Sequence, residues 1–161
     1  MKKMMVLMLM VVLAMVVSAC SDKENTTTIE ASKSAKEMVD QMLTEVEQPD
    51  LMELSEEELQ NLYNIDPAKL EEYSVRIPMM NVKTNEIAVL KVKDAADIAE
   101  VEAAIKTRAE NVIQSFEHYL PDQYEIAKNY QIVVKGNYVL FVISDRADDL
   151  IKVYDNFFEQ K

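Results

Sequence analysis

A chain of 161 residues, 49% of them hydrophobic, suits one compact domain once an export segment is removed, and excludes a two-lobed protein that closes on its ligand. Its formal charge of -12 is repelled by phosphate backbones, which sets nucleic acid aside as a partner and otherwise reads as a solvated acidic surface. One glycine, Gly136, and one histidine, His118, exclude P-loops, dinucleotide-binding fingerprints, nucleophile elbows and histidine-based zinc centres, each of which needs several such residues.

Lys2 and Lys3 form a short positive region, and Met4 to Val17 is an uncharged apolar run. As a helix this run reaches only about 21 Å, short of the roughly 30 Å hydrocarbon core, so it reads as a cleaved signal peptide and not as a permanent span. The run ends in Val17-Ser18-Ala19-Cys20, which resembles the bacterial lipobox. In proteins carrying that motif a diacylglyceryl group is attached to the cysteine sulfur and the peptide is cut before it. Cys20 is therefore the predicted lipidation site and first residue of the mature chain, which loses two lysines and carries a formal charge of -14. The competing reading is an ordinary cleavage near Ala19 that leaves Cys20 as an exposed thiol prone to intermolecular oxidation. Two acyl chains on one residue give stable attachment, which predicts a membrane-anchored protein on the outer, extracytoplasmic face of the cell membrane.

Residues 20–34 read as the lipidated N-terminus and a flexible polar tether with a root-mean-square reach of about 20 Å, and residues 35–161 as a single α+β domain. In "AKEMVDQMLTEVEQPD", Met38, Val39, Met42, Leu43 and Val46 recur at helical spacing, and Pro49 ends the helix. Ser55 and Glu58 form a capping box for a second helix with Leu59, Leu62 and Tyr63 on one face. Asp66-Pro67 starts a short turn.

Tyr73, Val75, Ile77 and Met79 alternate with polar residues as in a half-buried strand, and Pro78 places that strand at an edge or ends it. "EIAVLKVK" returns as a second strand. Asp94 and Asp97 open a long helix with Ile98, Val101, Ile105, Val112 and Phe116 on one face, closed by Pro121. In "YQIVVKGNYVLFVIS", Gly136-Asn137 fits a two-residue type II′ turn. That turn pairs Lys135 with Tyr138, Val134 with Val139, Ile132 with Phe141 and Tyr130 with Ile143. Ser144 or Asp145 caps a last helix carrying Ala147, Leu150, Ile151, Tyr154 and Phe158.

The order predicts an α+β fold: N-terminal helices followed by ββα-ββα, a four-stranded, largely antiparallel sheet with the two long helices packed on one face. The second face carries Val133, Leu140 and Val142 and needs a cover, which the N-terminal helices, a second copy of the chain or another partner would supply.

"LYNIDPAKLEEYSVRIPMMNVKTNEIAVLKVKD", "SFEHYLPDQY" and "KGNYVLFVIS" in this order resemble the bacterial lipoprotein family called domain of unknown function 4358, common in Gram-positive bacteria, from roughly Leu54 to the C-terminus. The resemblance implies a small secreted lipoprotein without an assigned activity and carries no catalytic or binding residue onto this chain. Where family members commonly show Gly after the first Tyr, Asn64 stands here, and Asn also tolerates a left-handed backbone.

The acidic runs Glu56 to Glu58, Glu71-Glu72 and Asp148-Asp149 read as helix starts and polar helix faces, and no twelve-residue calcium loop is present. His118 sits near a helix C-terminus, where the dipole favours it. No metal, cofactor or catalytic residue is assigned. Tyr119, Tyr124, Tyr130 and Tyr138 gather about the second hairpin, and Lys135 and Tyr138 are the candidate partner-binding residues. The function expected is a non-enzymatic binding or interaction module for an unknown protein or small ligand. The alternatives are a small hydrolase using a carboxylate pair and a structural homodimer.

Overall fold

The computed structural model describes residues 29–159, so the predicted signal peptide and the Cys20 lipidation site lie outside the described residues. Helix α1 (Ala35–Glu45) opens on a capping box, in which the Ser34 hydroxyl accepts from the Glu37 N–H and the Glu37 carboxylate accepts from the Ser34 N–H. Helix α2 (Glu56–Tyr63) opens on the predicted box of Ser55 and Glu58. It ends at Asn64 with φ 54°, the left-handed conformation expected of that residue. Asp66 caps the short 3-10 turn Pro67–Lys69 through the Ala68 N–H.

The strands are β1 (Leu51–Glu53), β2 (Leu70–Pro78), β3 (Glu86–Val92), β4 (Gln131–Lys135) and β5 (Tyr138–Ile143). They form one five-stranded sheet in the order β1-β2-β3-β5-β4, every neighbouring pair antiparallel. The sheet is thus antiparallel as predicted but has five strands, not four. β1 is only three residues long, too short to show period-two alternation, and it acquires its identity by pairing Leu51 with Pro78. That pairing takes β2 off the edge, and Pro78 simply ends the strand. β2 also starts earlier than its alternation suggests, which puts Glu71 and Glu72 on a strand and not on a helix.

The hairpin keeps the register read from its turn over residues 131–142, with Lys135 opposite Tyr138 and Ile132 opposite Phe141, though Tyr130 lies just before the strand. Gly136 has φ +56° and Asn137 does not share it, as a type II′ turn requires.

The remaining helices are α3 (Ile98–Phe116), α4 (Pro121–Lys128) and α5 (Ala147–Asn156). Asp94 caps a 3-10 turn, Ala95–Asp97, that leads into α3. Pro121 does not merely close α3: after a short turn it begins α4 at the helical position where a missing N–H is harmless.

β3 and β5 are buried along their whole length, so each needs an apolar layer on both sides. Val75, Ala88, Leu90, Val139, Phe141 and Ile143 meet α2, α3 and α4. Ile87, Val89, Leu140 and Val142 meet α1 and α5. The two long helices that follow the hairpins therefore lie on opposite faces of the sheet, which corrects the one-faced arrangement. The second face is covered from within the chain, by one N-terminal helix and the C-terminal one. Ser74 and Arg76, the polar side of β2, are buried beneath α1, where the Arg76 guanidinium donates to Asp40 at 2.8 Å and Ser74 at 3.0 Å and pairs with Glu53.

Candidate functional site

Antiparallel pairing places the β4–β5 turn at one end of the sheet and the β2–β3 loop at the other, since Lys91 pairs with Tyr138 and Glu86 with Ile143. The turn end holds the two candidate recognition residues. Tyr138 is only 2% exposed; its ring stacks edge-on to Phe158 with centroids 5.2 Å apart, and its hydroxyl donates to Glu30 at 3.0 Å. Lys135 pairs with Asp155 at 2.8 Å and lies over the Phe158 ring. Lys91 joins Glu30 and Glu71 beside the Tyr138 ring. Burial disfavours the Lys91 charge, but hydrogen bonds to Glu71, Tyr138 and Glu30 outweigh it and raise its pKa above the ordinary lysine value. Both candidate side chains are thus engaged with the chain's own residues, and the segment at Ile29 and Glu30 passes directly over the turn.

The other predicted acidic and histidine features are spread out. Glu58 serves the α2 cap, Glu71 serves Lys91, Glu72 accepts from the Ala35 N–H, and Asp149 accepts from Arg146 and Lys152. The His118 side chain is 90% exposed. Among the described residues, no three His, Cys, Asp or Glu side chains gather as metal ligands, and no helix is long and apolar enough to cross a membrane.

A different group sits at the loop end. Glu86 opens β3 on the face that carries Ala88 and Leu90, where a strand's alternation turns it inward beneath α3. It is 1% exposed and accepts from Arg108 through both oxygens, from Nε at 3.0 Å and from Nη2 at 2.8 Å. The Tyr63 hydroxyl, from the end of α2, donates to the same carboxylate. A buried carboxylate is tolerable only when so paired and bonded. Burial and then the Glu86 charge push the Tyr63 hydroxyl pKa well above the tyrosine value. For Arg108, burial works against the charge, yet the hydrogen bond to Glu86 and its negative charge prevail and hold the guanidinium pKa up.

Arg108, Asn111, Val112, Ser115 and Phe116 recur at helical spacing along α3, one turn after another on the same side. Facing them is the β2–β3 loop with Met79, Met80, Asn81 and Lys83. Between the two lies a cleft of about 350 Å³, floored by Glu86 and Arg108 and reached also by Thr84 and Ile77. Met79 and Met80 are 65% and 70% exposed among the described residues, a marked cost for large apolar side chains. A wider and shallower hollow of about 700 Å³ runs past Ser34, Glu56, Asp66 and Glu72 at the turn end. Of its acids, Asp66, Glu71 and Glu72 are already bonded to the chain.

Helical spacing put Tyr63 on an apolar helix face, but composition and periodicity did not point to Glu86, Arg108 or Tyr63 as members of a site. The available signal was an acid opening the otherwise apolar run "EIAVL" and an arginine at the border of the α3 apolar face. Neither shows that the other is near, since Glu86 and Arg108 come from different elements.

The fold is a twisted antiparallel sheet enclosed between two helical layers, with one mixed cleft between a hairpin loop and the longest helix. Residues 44–144 match the family Domain of unknown function (DUF4358), and the chain belongs to that family. The match begins earlier than Leu54 and stops before α5, so the C-terminal helix lies beyond it. No curated protein and no solved structure matches the chain.

Proposed function

We propose that this protein is a lipoprotein anchored at the extracytoplasmic face of the membrane through Cys20, and that it works as a non-enzymatic binding module. The observation that carries the reading is the cleft between the β2–β3 loop and α3, edged by two exposed methionines. Flexible, polarisable methionines on a concave rim suit adaptable docking better than a fixed reaction geometry. Glu58, Glu71, Glu72 and Asp149, at least one member of each acidic run, are taken up by caps and ion pairs, which supports binding over hydrolysis.

The arrangement also suits an anchor. The chain enters the domain over the β4–β5 turn, and the cleft opens at the other end of strands about 20 Å long. Extended chain between Cys20 and Ile29 reaches at most about 30 Å. An acyl group on Cys20 would hold the turn end toward the bilayer and present the cleft away from it.

Cys20→Ala should leave the protein uncleaved or released from membranes, as fractionation and mass spectrometry of the N-terminus would show. Unchanged membrane partitioning of a cleaved product overturns the anchor. For the cleft, Ser115→Trp places an indole into it from an exposed helix position. Crosslinking on membranes followed by capture should then lose partners seen with the unaltered protein, and identical partner sets remove the cleft as the docking site.

A further inference from the structure

The lining of the cleft is charged unlike the rest of the molecule. Its only acid is Glu86, which is buried and fully engaged by Tyr63 and Arg108. Against it stand Arg108 and Lys83, in a chain of formal charge -12. Glu86 takes two of the five N–H donors of Arg108, and the guanidinium also lies 5.8 Å from the centre of the Tyr63 ring. Two bonds to Glu86 fix the guanidinium in place, and Arg108 lines the cleft with N–H groups beyond those two. Lys83 is exposed on the rim.

We propose that the cleft binds a carboxylate carried on an apolar body, the carboxylate on Arg108 and Lys83 and the body against Met79, Met80, Val112 and Phe116. A planar guanidinium with donors to spare matches a carboxylate in shape and charge. A phosphate dianion is a poorer fit, because Glu86 already matches the Arg108 charge and only Lys83 is left to balance a second negative charge. The Arg108 charge is matched by Glu86, so the excess positive charge of the lining is that of Lys83. The volume accommodates a side-chain-sized body, near the lower bound of small-molecule sites. The same chemistry belongs to a peptide's C-terminal residue and to a free acid such as a short fatty acid.

This inference rests on the cleft being the binding site and names its ligand class. The test titrates the full chain in detergent with N-acetyl-phenylalanine, its amide, and octanoate, read by calorimetry and by NMR shifts of the Met79 and Met80 methyl groups. The free acid should bind at least about tenfold more tightly than the amide, the size of a charge-assisted hydrogen bond. Lys83→Gln should reduce that preference to about threefold, and Ser115→Trp should abolish binding of every probe. Both substituted positions are exposed, and a thermal melt confirms the fold of each variant. Octanoate binding with no binding of the acetylated amino acid assigns a fatty acid; the reverse assigns a peptide terminus. Equal affinity for acid and amide, or binding that survives Ser115→Trp, overturns the carboxylate assignment. So does the absence of binding by either acid. Equal affinity would leave the cleft itself as a docking site, which the capture experiment judges separately.

Discussion

The two ends of the sheet carry similar residue types and treat them in opposite ways. At the turn end, Lys91, Lys135, Tyr138 and Glu30 all bond to one another or to neighbouring acids, and the incoming chain seals the turn. At the loop end, Arg108 bonds to Glu86 with part of its fork while Met79 and Met80 stand in solvent. A basic and aromatic composition is therefore no guide to a recognition surface by itself. What matters is whether the fold consumes the donors locally, and at the loop end Arg108 and the exposed Lys83 line a cleft edged by exposed methionines.

The largest effect that would sharpen this contrast comes from Arg108→Gln. It strands the buried Glu86 carboxylate, and denaturant unfolding should show a loss of about 3–5 kcal/mol. Adding Glu86→Gln should restore much of that loss; no recovery in the double variant would mean that Arg108 stabilises by packing alone. Tyr63→Phe removes one charge-assisted donor from the same carboxylate and should cost about 1.5–3 kcal/mol.

At the turn end, Gly136→Ala forces a left-handed backbone and sets a Cβ 2.9 Å from that of Ile29. A cost of about 1–2 kcal/mol is expected from the backbone conformation, together with displacement of residues 29–32, visible as a shift of the Ser32 amide that donates to the Phe157 carbonyl. Wild-type shifts at Ser32 would show that the incoming segment is not seated on the turn. Met79→Ser with Met80→Ser should change stability by less than about 0.5 kcal/mol and so separate the rim's role in binding from its role in folding.

The smallest effect is on pH. Hydrogen bonds from Lys91 and then Tyr138 hold the Glu30 carboxyl below the ordinary value of 4.5. A depressed acid contributes stability above its unfolded pKa and loses it as pH falls through its folded one. The Ser32 amide shift should thus stay constant above about pH 5 and move only below the ordinary 4.5. Movement between pH 5 and pH 7 would break the assignment of Glu30 as the clasp.

Features that depend on near neighbours were readable without the fold. The Ser55–Glu58 box, the left-handed Asn64 and the Lys135–Tyr138 register each follow from a few consecutive side chains and backbone sterics. Features that need distant partners were not. β1 exists because Leu51 finds Pro78, and α4 is visible only once α3 is seen to stop at Phe116. Apolar spacing shows that α3 and α5 each have a buried side; which face of the sheet receives each one depends on the strand order, because β3 pairs with β5 and leaves β4 outside.

By itself the sequence determined the mixed composition of elements, the turn that aligns β4 with β5, and the motif that makes Cys20 the expected anchor. Those are properties of local sterics and of short motifs. The tertiary structure alone decided that both sheet faces are covered, that Tyr138 is buried, and that Glu86, Arg108 and Tyr63 meet beneath a cleft. Their meeting depends on packing α2 and α3 over one end of β3, and no period or spacing along the chain encodes a contact between three separate elements.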